Sequence, residues 1–139
     1  MKFIPVLTDF NQLEHCCTDD LYYFNQKPFS GVILTYHKNK MKQSQTTLSH
    51  GQIQGRYQAW YQNGFLKVIG QYQDHQERGL WTFYHDNNVI ARTGHFYHGL
   101  RVGYWRIWTK QGKIIWSGEF HLHNTNKRTY HQKNFQSFN

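Results

Sequence analysis

The sequence predicts an all-β fold: one elongated sheet of about nine or ten antiparallel strands, running as a meander of repeated hairpins. Three observations predict it. Gly31, Gly55, Gly79 and Gly103 recur every 24 residues, and a second series, Gly70, Gly94 and Gly118, keeps the same period, with Thr46 in its place in the first copy. Bulky apolar residues recur at fixed offsets from the leading glycine: Ile33, Tyr57, Trp81 and Trp105; Tyr36, Trp60, Tyr84 and Trp108; Leu48, Tyr72, Phe96 and Phe120. Turn formers punctuate each copy, as Asn39-Lys40, Asn63-Gly64, Asn87-Asn88 and Gln111-Gly112. Four copies in register make this a repeat protein.

Taken in chain order, residues 1–20 come first as an acidic cap segment, with Asp9, Glu14, Asp19 and Asp20 against Lys2. A repeat sheet needs its terminal edge covered, which is the role expected of this segment. Its brief apolar patch is broken by Pro5 and Asp9, too early for a secretory signal, so a cytoplasmic location is expected. Cys16 and Cys17 are adjacent; bridging neighbours strains the intervening peptide, so both read as reduced thiols. The repeat sheet follows over residues 21–126, in units 31–54, 55–78, 79–102 and 103–126. A basic tail, 127–139, carries Lys127, Arg128 and Lys133 and is not explained by the repeat. No apolar run has the length needed to span a membrane as a helix.

Each unit reads as a β-hairpin. Asn-Gly between aromatic and β-branched runs predicts a two-residue type I′ turn, which needs positive φ at both central residues. That turn sets a register in which Trp81 faces Gly94, Gly79 faces Phe96, Trp105 faces Gly118, Gly103 faces Phe120, Tyr57 faces Gly70 and Gly55 faces Tyr72. A ring lying over a strand glycine covers exposed backbone, so the alternation of glycines with large rings is read as a sheet-stabilising device.

The stretches GRYQAWYQNGFLKVIGQYQ, GLWTFYHDNNVIARTGHFYHG and GYWRIWTKQGKIIWSGEF resemble the bacterial variant of the MORN repeat. The lead-in LYYFNQKPFSGVILTYHKNK is similar to the opening seen in that family, an aromatic strand followed by a Pro-Phe-x-Gly turn. The resemblance covers residues 21–123 and departs from the pattern in the first copy, where Lys40 and Thr46 replace glycines. It implies the hairpin-meander fold. It also implies a function, because bacterial proteins of this kind are commonly described as YwqK-type antitoxins or as immunity proteins.

Alternation along each strand sorts the side chains by face. One face collects the ring and glycine pairs with Ala59, Leu66, Val68, Phe83, Ile90, Ile107, Ile114 and Trp116, and is the expected core. The other collects the pairs Arg56–Gln71, Leu80–His95, Thr82–Thr93, Tyr104–Glu119 and Arg106–Ser117. On that second face lies one ring per repeat near the turn: Tyr36, Trp60, Tyr84 and Trp108. With Arg56, Lys67, Arg106 and Tyr104 they form the candidate partner-binding strip, since Trp, Tyr and Arg dominate binding hot spots.

Chemistry finds little footing. The acids in the repeats are scattered, no nucleophile elbow or phosphate-cradling loop is present, and the chain is read as a non-enzyme without cofactor. His121-x-His123 would put two imidazoles on one strand face, but without a third ligand no metal site is assigned. The net charge of +8 becomes +11 once the acidic first 20 residues are set aside, which suits an anionic partner. The expected function is therefore neutralisation of a cognate protein toxin or effector by direct binding. The alternatives are a peripheral binder of anionic lipid or nucleic acid, or a scaffold or homo-oligomer that hides its aromatic face.

Overall fold

The computed structural model describes residues 4–122 and the strand 130–133; the rest of the basic tail, and His123, lie outside the described residues. A short strand β1 (Val6–Leu7) and a single 3-10 turn (Phe10–Gln12) lead into β2 (Glu14–Cys16), β3 (Leu21–Phe24) and β4 (Lys27–Pro28). The hairpin strands follow: β5 (Gly31–Tyr36), β6 (Lys42–Ser49), β7 (Gln52–Trp60), β8 (Leu66–Gln73), β9 (Gln76–Tyr84), β10 (Ile90–Tyr97), β11 (Leu100–Trp108) and β12 (Ile114–Leu122). A last strand, β13 (Tyr130–Lys133), pairs with β12.

The all-β meander expected from the period is what forms. Strands β5 to β13 pair each with the next, all antiparallel, in one ten-stranded sheet. Two features go beyond a purely antiparallel single sheet. Strand β1 pairs parallel with β5, Val6 opposite Val32, and closes that edge. Strands β2, β3 and β4 make a separate three-stranded sheet that runs across residue 20 into the lead-in. This small sheet is fastened to the β6–β7 turn, where Tyr22 N–H donates to Gly51 C=O at 2.8 Å and Gly51 N–H to Phe29 C=O at 2.7 Å. Beneath it Leu7, Phe29, Ile33 and Leu48 form a first buried cluster, with Phe10, Leu13, Tyr22 and Phe24 packed on it.

The turns correct the expected hairpin geometry. In the second repeat Tyr61 N–H donates to Phe65 C=O, and Gly64 N–H to Tyr61 C=O. Only the third loop residue has positive φ, at Lys40 (66°), Gly64 (87°), Asn88 (66°) and Gly112 (79°). These are three-residue loops, a type I turn closed by a left-handed residue, and not type I′ turns. The type I′ geometry sits at the other end of the strands, in the connections between repeats. There His50-Gly51, Asp74-His75 and His98-Gly99 each carry two consecutive positive φ values.

The three-residue loop inserts one residue, and the register slips beside it. Trp60 pairs with Leu66 where the two-residue turn would have placed Lys67; likewise Tyr36 pairs with Lys42, Tyr84 with Ile90 and Trp108 with Ile114. Farther from the loop the expected pairs hold, Trp81 with Gly94 and Gly79 with Phe96 among them. Leu66, Ile90 and Ile114 therefore share the face of the ring row and not the core face predicted for them.

The ring cover also runs differently from the expectation. A Cβ built on Gly70 would collide with the indole of Trp81, and one on Gly94 with the indole of Trp105. Each tryptophan thus lies on the glycine of the preceding hairpin, and its indole N–H donates to the next carbonyl there: Trp81 to Gln71 and Trp105 to His95, both 3.2 Å. Gly118 has no fifth repeat to cover it, and Trp116 of its own strand does so. Gly79 and Gly103 meet nothing within 4 Å; what they supply is positive φ, 72° and 64°, at the register shifts between hairpins. Tyr57, Tyr72, Trp81, Phe96, Trp105 and Phe120 continue edge to face along the sheet, with centroids 5.1 to 6.3 Å apart. Burying such a side chain fully contributes about 1.5–3 kcal/mol, and Trp81 and Trp105 are buried almost completely.

Candidate functional site

The packed face spends its rings on itself. The opposite face has no layer over it among the described residues. Tyr36, Trp60, Tyr84 and Trp108 stand on it one per repeat, two strands apart, which sets neighbouring rings about 10 Å from each other. Tyr36 is exposed and the other three are half-buried. Their cross-strand partners Leu66, Ile90 and Ile114 widen the row into an apolar band, and the Lys42 ammonium lies 5.6 Å from the Trp60 ring centroid.

The expected companions divide. Arg56, Arg106 and Tyr104 lie on this face and are exposed, as anticipated. Lys67 is not part of the strip. As the extra residue beside the loop it turns to the packed side, with its ammonium 5.5 Å from the Tyr61 ring and its stem in a groove with Tyr57 and Ala59. Sequence reasoning placed Leu80 on this face as the partner of His95 without giving it a role. Leu80 is 55% exposed and Tyr104 62%, and with Tyr97, Ile90 and Ile114 they make the face unusually apolar for one open to water. Arg78 and Tyr97 were missed altogether, because they sit in the connection between hairpins, where the expected register did not reach. The Arg78 guanidinium stacks 4.8 Å above the Tyr97 ring.

Charge on the two faces is arranged differently. Four carboxylates follow residue 20: Asp74, Glu77, Asp86 and Glu119. Asp74 lies in a turn, and Asp86 in another, bound to Lys110 at 2.6 Å; that ammonium holds its carboxyl below the usual carboxylate range. Glu77 pairs with Tyr72 on the packed side, where burial first, then the Glu77 charge, pushes the phenol up to about 12. Arg92 stacks 4.1 Å over Phe83 on that side, held below its ordinary value by burial and by Arg101. Only Glu119 stands on the open face, with His121 3.4 Å away, against Lys42, Arg56, Arg78 and Arg106. Among the described residues none of those four cations pairs with a carboxylate.

Between Arg56 and Arg78 the open face dips into a cleft of about 470 Å³, walled by Ile69, Gln71, Leu80 and Thr82. Elsewhere the described residues bring together no three His, Cys, Asp or Glu side chains in reach of one metal ion. Cys16 and Cys17 are both free, and the Cys16 thiol lies 3.0 Å from the Thr18 hydroxyl. No helix is long and apolar enough to cross a membrane. Compared with known proteins, the chain matches no family model, no curated protein and no solved structure.

Proposed function

We propose that this chain is a non-catalytic binding protein whose open sheet face docks a protein partner, and that the partner is a toxin or effector which the docking neutralises. The observation that carries the docking reading is the open face itself. It exposes Tyr36, Leu80, Ile90, Tyr97, Tyr104 and Ile114, an unusual number of large apolar side chains for a face open to water. The sheet behind it is braced: rings, glycines and turn-to-turn hydrogen bonds set the backbone spacing of the exposed residues, which lowers the ordering cost of binding. The toxin class is taken from the resemblance of the repeats to bacterial MORN-type sequences.

The test uses the full chain, tagged, in the cell that makes it, with washes at high salt. The expected result is one protein in stoichiometric amount that arrests growth when expressed alone and is relieved by co-expression. Leu80→Glu with Tyr104→Glu is expected to abolish capture while leaving the unfolding midpoint within error. Capture that survives both substitutions overturns the face assignment. An eluate that empties with salt, or holds only anionic lipid or nucleic acid, overturns the protein-partner reading, because those complexes depend on counterion release and screening.

A further inference from the structure

The repeat dictates glycines, rings and turn residues, but it does not dictate arginine at the position after the leading glycine or the position before it. After the glycine the copies carry Val32, Arg56, Leu80 and Tyr104; before it they carry Gln54, Arg78 and Val102 within the sheet. Only around the second repeat do both positions become arginine. The register then sets them on one line: Arg56 pairs with Gln71, and Gln71 pairs on its other side with Arg78. Three adjacent strands thus present guanidinium, carboxamide and guanidinium in a row, with the two arginine backbones about 10 Å apart. Both side chains line the cleft of about 470 Å³ that opens along this row.

We propose that this cleft is an oxyanion pocket that receives a carboxylate side chain, aspartate or glutamate, of the docked protein. The inference rests on the reading of the open face as the docking surface and adds the chemistry of its anchor. Arg78 lines the cleft, and its guanidinium rests against Tyr97 of the next strand, β10, 4.8 Å from the ring centroid, with no carboxylate of the described residues on it. Among the described residues no carboxylate competes, since the acid found on this face, Glu119, stands on β12, away from strands β7 to β9 that carry the cleft. Gln71 adds a carboxamide between the two arginines, and Ile69 and Leu80 add apolar wall to the cleft. Two guanidinium forks with an amide between them match the planar, two-oxygen acceptor of a carboxylate. Leu80, 55% exposed at the rim, is placed to be covered once the carboxylate is seated.

The experiment observes arginine side-chain Nε–H signals of the full chain by NMR while a capped tetraglutamate peptide is titrated in, with sodium phosphate and an oligo-dT of matched charge as separate arms. The expected result is saturable shifts at Arg56 and Arg78 with the peptide, and smaller, unsaturated ones at Arg106. Arg56→Gln with Arg78→Gln should weaken the peptide about tenfold or more, as expected for loss of hydrogen bonds to a charged group. Equal shifts at every arginine, or tighter saturation by phosphate or oligo-dT than by the peptide, overturn the proposal. Partner capture separates the two readings. If Leu80→Glu with Tyr104→Glu abolishes capture but Arg56→Gln with Arg78→Gln does not, the pocket fails and the docking face stands. If neither pair affects it, the face itself is wrong.

Discussion

Gly94 lies between two tryptophans, Trp81 across its own hairpin and Trp105 in the next, and there is room above it for one indole. Trp105 takes that room, because Trp81 already lies on Gly70. The first copy shows what happens when the glycine is lost. Thr46 stands there, 4% exposed, opposite Ile33 on one side and Tyr57 on the other, and the residue that would have been tryptophan is tyrosine, packed against Tyr72 and Trp81 instead. Gly94→Thr alone is therefore expected to destabilise by about 1–3 kcal/mol through overpacking. Combined with Trp105→Tyr it should cost clearly less than the two single changes added. Urea midpoints of the four proteins check this, and simple additivity would mean that ring and glycine are not coupled. Gly79→Ala works by a different cause. Space is open there, so its cost, about 1–2 kcal/mol, comes from the positive φ, and no change of ring can relieve it. The sequence showed that glycines and rings belong together. It did not show which ring covers which glycine, because register names the facing residue and not the direction in which a long side chain leans.

Within each hairpin the turn residues do more than close the loop. The Asn39 amide donates to Gln62 C=O, Asn63 to Asp86 C=O and Asn87 to Lys110 C=O, at 2.7 to 2.8 Å, so each turn is hydrogen-bonded to the next. His37 and His85 meet the carbonyls of Trp60 and Trp108 at 2.8 Å, and the Tyr61 hydroxyl donates to that of Tyr84 at 2.7 Å. In the last copy these positions change to Gln111 and Thr109, and the Thr109 hydroxyl turns back to accept from Gln111 and Lys113 N–H. Asn63→Ala and Asn87→Ala are each expected to cost about 0.5–1.5 kcal/mol, and Gln111→Ala almost nothing. Denaturant titration checks it, and a Gln111→Ala loss as large as the others would refute the ladder. The period made these hairpins legible, but not their turn type. Asn-Gly satisfies both the two-residue and the three-residue loop, and the decisive fact, positive φ at the second residue alone, leaves no mark on the dipeptide. That one residue moved Leu66, Ile90 and Ile114 to the ring row and Lys67 away from it. The ring row itself was legible because its residues precede the loop, so the extra loop residue does not move them to the other face.

Across the whole molecule, each strand from β6 to β12 pairs only with its sequence neighbours, so stability is passed along the sheet one interface at a time. The two ends are finished differently. At the start, β1 closes the edge of β5, and the small sheet packs Tyr22 against Phe10, His15 and His75, over the first buried cluster. At the far end of the repeats the turn ladder stops and Trp116 covers Gly118 from within its own strand, its buried indole N–H without a hydrogen-bond partner among the described residues. The sequence marked residues 1–20 as a cap because a repeat sheet needs its terminal edge covered; that the cap would extend through Phe29 and hook onto the His50-Gly51 turn depends on contacts distant in the chain. A neighbour-to-neighbour sheet predicts that damage stays local. Tyr22→Ala is expected to cost about 2 kcal/mol and to raise amide exchange in β5 to β7 by roughly tenfold or more. Exchange in β11 and β12 should remain at the native rate, because four strand interfaces lie between β7 and β11, braced by the rings, glycines and turn bonds of the hairpins. Hydrogen exchange resolved by residue decides it. An equal rise in every strand would show that the sheet opens only as a whole, and the open face would then be held rigid by global cooperativity in place of the stepwise ladder.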